Sequence, residues 1–188
     1  MIHIDDHIRD FNLEEALALV SPQRREYALR YRHEHDQRLC VAAYRLLMHA
    51  LHQEYGINES VRFIYDRNGK PMLEGHPEIH FSMSHCAHAV AVVLSDTPAG
   101  IDIETLDHYS EDIASRVMNE EEMCHIMSSP NPAMAFTRLW TMKESLYKLT
   151  GDDNGGNIPQ MLTDSASYRF TTVSHPSYIT TVCQKKQS

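Results

Sequence analysis

Gly100-Ile101-Asp102-Ile103-Glu104 alternates apolar and acidic residues, and Trp140-Thr141-Met142-Lys143-Glu144-Ser145-Leu146-Tyr147-Lys148 follows further along the chain. The alternation predicts a strand with Ile101 and Ile103 on one face and Asp102 and Glu104 on the other, because successive strand side chains point to opposite sides. The second stretch reads as helix, and Trp140, Glu144 and Lys148, spaced by four, share one of its faces. If the two faces meet, three carboxylates and one ammonium converge. Carboxylates that close repel one another unless a cation lies among them, and an all-oxygen donor set suits Mg2+ or Mn2+. Metal-assisted phosphoryl or phosphate-ester transfer is the chemistry such a site implies. Each fragment alone has a plainer reading. An acidic pair on a strand is commonly a solvated face, and Glu144 with Lys148 makes an ordinary helix-surface pair.

Composition narrows the class. The chain has 188 residues, 42% hydrophobic and 23% charged, values of a globular protein with one large domain or two small ones sharing a core. No run has the length of a membrane span. The N-terminus, Met1-Ile2-His3-Ile4-Asp5-Asp6, lacks the basic-then-apolar pattern of a signal peptide and reads as a first strand. Cys40, Cys86, Cys124 and Cys183 are far apart with no C-x-x-C spacing, so buried reduced thiols and a cytoplasmic location are expected. A net charge of −9 argues against a nucleic-acid partner. The 13 histidines are scattered without zinc-ligand spacing.

Working outward, the residues before Gly100 predict helix and then strands. Asn12 to Leu17 forms a short helix, and Ser21-Pro22 starts another that runs to about Tyr55 with a break near His33 to Asp36. Arg24, Arg25, Arg30, Arg32, Arg38 and Arg45 make this stretch locally basic in an acidic protein. Val61 to Tyr65 is a strand. Asp66-Arg67-Asn68-Gly69 is a hairpin turn with Asn-Gly supplying positive φ, and Lys70 stands at its exit. Glu78 to His85 is a strand whose Ile79, Phe81 and Met83 face one way. His80, Ser82 and Ser84 face the other, toward solvent or a ligand. Ala87 to Ser95 is a strand buried on both sides. After Glu104, capping patterns start helices at Ser110 and Asn119. The signature helix runs from Pro132 to Leu149 and ends at Gly151. Tyr168 to Val173 and Tyr178 to Cys183 form a closing hairpin.

These elements in this order resemble the surfactin-type 4′-phosphopantetheinyl transferases. That family carries a G-I-D-I-E element followed by W-x-x-K-E-S-x-x-K, matched here by Gly100 to Glu104 and by Trp140, Lys143, Glu144, Ser145 and Lys148. His80 to His85 is similar to its H-F-N-x-S-H element, with Ser82 in place of the usual Asn. Asn68-Gly69-Lys70-Pro71 is similar to its G-K-P element, and Ser21 to Arg38 to its N-terminal region. The polar, Gly-rich loop after the helix is a second departure. The resemblance implies an α+β, pseudo-duplicated fold of two halves, 1–97 and 98–188, each a small antiparallel sheet with helices and with the active site in the cleft between. It implies transfer of phosphopantetheine from coenzyme A to a serine of an apo acyl or peptidyl carrier protein, by a monomer. Asp102, Glu104 and Glu144 would hold Mg2+ or Mn2+. Glu144 and Lys148 would be catalytic. Arg38, and less firmly Arg24, would contact the coenzyme A 3′-phosphate. Lys70 would reach the phosphates or the pantetheine arm, and His85 with Ser84 the 3′-phosphate. Lys143 projects to a different face and is placed with the coenzyme A-binding residues. Met118, Met123, Ile126 and Met127 offer core, and in part a surface for the carrier. Two other classes fit less well. One is an inactive relative that binds coenzyme A or a carrier protein, against which the intact carboxylates count. The other is a two-metal nuclease, against which the acidity and the absence of basic-aromatic interleaving count.

Overall fold

The computed structural model describes residues 1–152 and 154–186. In chain order it forms β1 (Ile2–Asp5), α1 (Leu13–Leu19), α2 (Pro22–Ala28), α3 (Glu34–Tyr55), β2 (Phe63–Tyr65), β3 (Pro71–Leu73), β4 (His80–His85), β5 (Val90–Ser95) and β6 (Ala99–Thr105). Then come α4 (Glu111–Val117), α5 (Glu120–Ser128), α6 (Pro132–Thr150), β7 (Tyr168–Ser174) and β8 (Tyr178–Lys185). The class is α+β with small antiparallel sheets, in the orders β1-β5-β4, β2-β3 and β6-β8-β7.

The helices start where the sequence supplies side-chain caps. Asn12, Ser21, Ser110, Asn119 and Asn131 each accept a first-turn backbone N–H, and Asn119 with Glu122 closes a reciprocal capping box. The helix expected from Ser21 to Tyr55 is two helices, and the break comes earlier than predicted. α2 stops at Ala28, and the turn before α3 is tied by the Gln37 side chain donating to the Tyr31 carbonyl at 2.8 Å. The hairpin after β2 also differs in detail. Only Gly69 takes positive φ (79°), and Asn68 does not. The Asp66 carboxylate accepts from the backbone N–H groups of Asn68 and Lys70, which makes a turn followed by a glycine bulge.

β5 is buried on both faces, as its apolar run predicts. Val92 and Leu94 pack with Tyr44, Leu47, Leu51, Phe63 and Phe81 beneath α3. Ala91 and Val93 pack with Ile101, Ile103, Tyr178 and Val182 on the other side. Met118 and Ile126 are core residues, while Met127 and Ile113 remain exposed.

The face of β4 expected to look at solvent or ligand is instead covered by β6. Ser82 and Ser84 are buried. Ser82 Oγ accepts from the Ile101 N–H at 3.2 Å, and Ser84 Oγ donates to Asp102 Oδ1 at 2.8 Å. On its other side β6 meets α6 at very close range. A Cβ on Gly100 would stand 2.1 Å from the Ser145 carbonyl oxygen and 2.6 Å from the Leu149 nitrogen. Glycine is required there for approach between backbones. Behind this contact, hydroxyls tie α6, β7 and β8 together. Thr181 Oγ1 lies 2.8 Å from Thr141 Oγ1 and 3.0 Å from Thr172 Oγ1, and Thr180 donates to the Asp102 carbonyl at 2.7 Å.

Candidate active site

Asp102 sits mid-strand in β6, 2% exposed. α6 brings Lys148 across the seam, where its Nζ lies 2.6 Å from Asp102 Oδ1 and donates to Ser84 Oγ at 2.8 Å. One carboxylate oxygen therefore takes both the hydroxyl and the ammonium. The other, Oδ2, is buried and has no hydrogen-bond partner. An orphaned carboxylate oxygen in the interior carries a large desolvation penalty, so it marks where a cation or donor belongs.

The other two acidic residues crowd the same place. Burial, then the Asp102 charge, push the Glu104 carboxyl up to about 7, and His108, Lys148 and the Trp140 side chain oppose that shift. His108 Nδ1 is 3.5 Å from Glu104 Oε2. Glu144 is likewise raised, by burial and then by Asp102, with Lys148 opposing. Two carboxyls driven toward their neutral forms by burial and by a third carboxylate are short of positive charge. Hard oxygen donors in that condition fit a divalent cation. As they stand, no group of three or more His, Cys, Asp or Glu among the described residues is arranged to hold an ion. Lys148 occupies Asp102 in that role, so an ion entering here must compete with an ammonium.

Beside Lys148 opens a cavity of about 330 Å³, bordered by Asn68, Lys70 and Pro71 of the hairpin, Ser82 of β4, and Tyr147 and Gly151 of α6 and its cap. Lys70 is half-buried, its Nζ 3.3 Å from the Ala99 carbonyl and 3.4 Å from that of Leu149. Desolvation lowers its pKa. His85 ends β4 with part of its surface open. Surrounding protein, then the Lys148 ammonium, hold the ring below the ordinary histidine range, while Asp36 and Asp102 pull the other way.

Three residues expected at coenzyme A make other contacts. Lys143 is 1% exposed and its Nζ bonds Glu122 Oε2 at 2.8 Å and the carbonyls of Ile158 and Pro159, each at 3.0 Å. All three ammonium donors are used there, so Lys143 faces Glu122 and not the cavity where coenzyme A was expected. Arg38 donates to the Phe11 carbonyl at 2.6 Å and to Glu34 at 2.9 Å, with its guanidinium over the Phe11 ring. Arg38 is not among the residues that border the cavity. Arg24 is buried among the rings of Tyr27, Tyr44 and Phe63 and donates to Cys40 Sγ at 3.2 Å. Trp140 and Thr180 act on the site without having been predicted to. Trp140 shares the helix face with Glu144, which was the signal available. Thr180 gave none, since its partner is a backbone carbonyl on another strand.

Comparison with known proteins decides the family. Residues 98–185 match the profile described as 4′-phosphopantetheinyl transferase superfamily, and residues 9–97 match that of the 4′-phosphopantetheinyl transferase N-terminal region. The chain belongs to the 4′-phosphopantetheinyl transferase superfamily. It is similar to the 4′-phosphopantetheinyl transferase psf-1 of Bacillus pumilus, 33% identical over 151 residues, which are 79% of this chain and 65% of that protein. It is similar to the 4′-phosphopantetheinyl transferase Sfp of Bacillus subtilis (strain 168), 29% identical over 172 residues, 90% of this chain and 75% of that protein. A third relative is the 4′-phosphopantetheinyl transferase gsp of Aneurinibacillus migulanus, 30% identical over 151 residues, 79% of this chain and 61% of that protein. The chain thus spans under two thirds of the length of psf-1 and of gsp. Among its described residues no helix is long and apolar enough to cross a membrane.

Proposed function

We propose that this chain transfers the 4′-phosphopantetheine group of coenzyme A to a serine of an apo acyl or peptidyl carrier protein and releases 3′,5′-ADP. The observation that carries the reading is the meeting of Lys148, Ser84 and Asp102 across the β6–α6 seam, with Glu104 and Glu144 responding to the same charge. In the reaction the serine oxygen bonds to the phosphorus that bears pantetheine, and the bond from that phosphorus to the 3′,5′-ADP oxygen breaks. Glu144, held above the ordinary carboxylate range, would accept the serine proton. Lys148 would meet the charge that develops on the departing diphosphate. Asp102, Glu104 and Glu144 would hold Mg2+, or Mn2+, which would supply charge neutralisation along the diphosphate.

Lys70 and His85 stand at the same seam and would take phosphate groups. A phosphate beside His85 would draw the ring back toward its charged form. The cavity has hairpin residues of the first half on one wall and α6 residues of the second on the other. That supports a division into halves, 1–97 and 98–188, with coenzyme A bound between them. The family profiles meet at the same place, and each half holds one three-stranded antiparallel sheet. One chain supplying both walls supports a monomer. All four cysteines are free; Cys40, Cys86 and Cys183 are buried as expected, whereas Cys124 is exposed, and four unpaired thiols support a reducing, cytoplasmic location.

The test is the intact mass of an apo carrier protein after incubation with coenzyme A and Mg2+. A gain of one phosphopantetheinyl group supports the reading, and Asp102→Ala is expected to abolish that gain while near-UV circular dichroism stays native. The Lys148–Asp102 contact favours one other reading, a chain that binds coenzyme A without transferring it. Retained coenzyme A binding with no mass gain by the wild type would select that reading.

A further inference from the structure

α6 is held from two sides, and only one of them is the candidate active site. Lys148 faces β6. Lys143, five residues earlier, projects about 140° away around the helix. There it enters a buried polar cluster that the proposed chemistry does not use. Its Nζ contacts Glu122 Oε2 at 2.8 Å, the Ile158 carbonyl at 3.0 Å and the Pro159 carbonyl at 3.0 Å. Glu122 is itself fixed, since its Oε2 accepts the Asn119 N–H at 2.9 Å within the capping box of α5. The Asn119 amide then reaches the Pro159 carbonyl at 3.3 Å. Three groups from two segments, α5 and residues 158–159, converge on one ammonium, and Asn119 ties those two segments to each other.

Burial lowers the Lys143 pKa and the Glu122 contact opposes that shift. A buried pair of this kind is a poor source of net stability, because desolving two charges offsets most of their attraction. What it supplies is register. An apolar side chain would pack at many helix rotations, whereas three acceptors at fixed points satisfy an ammonium at one. The rotation matters at this helix, because Gly100 lets α6 lie against the β6 backbone with no side chain between. A small turn of α6 would move Glu144 and Lys148 relative to Asp102.

We propose that Lys143 is a positioning residue: with Glu122 and the carbonyls of Ile158 and Pro159 it fixes the rotation of α6 on β6, and so sets where Glu144 and Lys148 stand. The proposal rests on the transferase reading for its kinetic consequence, and on geometry alone for its structural one. Two variants test it, Lys143→Met and the double variant Lys143→Met/Glu122→Gln. The single variant leaves a buried carboxylate without its cation and is expected to lose stability. The double variant removes both charges, and glutamine preserves the capping box, so it is expected to fold.

Two readouts are taken on the double variant. The first is acrylamide quenching of Trp140, the single tryptophan of the chain, whose side chain is near enough to Glu104 to favour its charged form. The expected result is a clear rise in quenching while thermal stability stays near wild type. The second is steady-state transfer, with kcat expected to fall about ten- to hundredfold and KM for coenzyme A to change little, as displaced catalytic groups require. A stable double variant with wild-type quenching and wild-type kcat would overturn the proposal and leave the pair a packing feature. If the wild type transfers nothing, the transferase reading fails by itself, and quenching alone decides whether the pair sets the helix.

Discussion

Asp102 holds two oxygens in different circumstances. Oδ1 is shared by Ser84 and Lys148, and Oδ2 has no partner. Burial, then the Asp102 charge, raise the neighbouring carboxyls of Glu104 and Glu144, with a measurable consequence at Glu104. The folded-state value of about 7 lies above the model-peptide value of 4.5, so the folded protein binds the extra proton. The corresponding stability is fully present below about 4.5 and is lost as pH rises through about 7. In EDTA, the urea midpoint of the wild type relative to Glu104→Gln is therefore expected to fall between pH 5.5 and pH 8. Added Mg2+ should restore it at pH 8 more than at pH 5.5. A difference that rises with pH, or one indifferent to Mg2+, would contradict the crowding of these carboxylates.

At the scale of elements, β6 and α6 depend on backbone contact, and Gly100 is where it occurs. Gly100→Ala puts a methyl carbon into backbone atoms of Ser145 and Leu149, which cannot swing aside as a side chain can. The expected loss is at or above the upper end of the ~1–3 kcal/mol typical of overpacking, read from urea unfolding. A loss within a few tenths of a kcal/mol would mean that α6 is free to lift. Both elements were legible in the sequence, β6 from its alternation and α6 from its four-residue spacing, its Pro132 start and its Gly151 stop. The partner surfaces were less so. Periodicity separated the two faces of β4, but it cannot say that β6 covers Ser82 and Ser84. The family resemblance drew Arg38 and Arg24 toward the coenzyme A 3′-phosphate, and Lys143 was placed with the coenzyme A-binding residues. Lys143 instead finds Glu122, Arg38 finds Phe11 and Glu34, and Arg24 lies under aromatic rings. Each of those outcomes depends on segments that only folding brings together.

For the whole molecule, the proposed halves share an interior. The core beneath β6 combines Ala91 and Val93 from the first half with Ile101, Ile103 and Val182 from the second. Separate chains of residues 1–97 and 98–188 would each expose that apolar layer together with the Ser82 and Ser84 seam. Neither is expected to give a cooperative thermal transition alone, and an equimolar mixture is expected to recover native-like circular dichroism. Independent cooperative unfolding of either piece would show that the halves are self-sufficient domains. The seam also holds the candidate active site, since Ser84 comes from one half and Asp102 and Lys148 from the other.

The proposed function needs a strand and a helix that close on one divalent ion, for which Lys148 would stand in when the ion is absent. Mn2+ titration followed by electron paramagnetic resonance, on the protein without substrate, tests it most directly. The account predicts one Mn2+ site per chain, lost or greatly weakened in Asp102→Asn and in Glu144→Gln. It predicts tighter binding in Lys148→Met, with a much smaller change in Lys70→Met. Mn2+ binding unaltered by Asp102→Asn, or weakened by Lys148→Met, would contradict it.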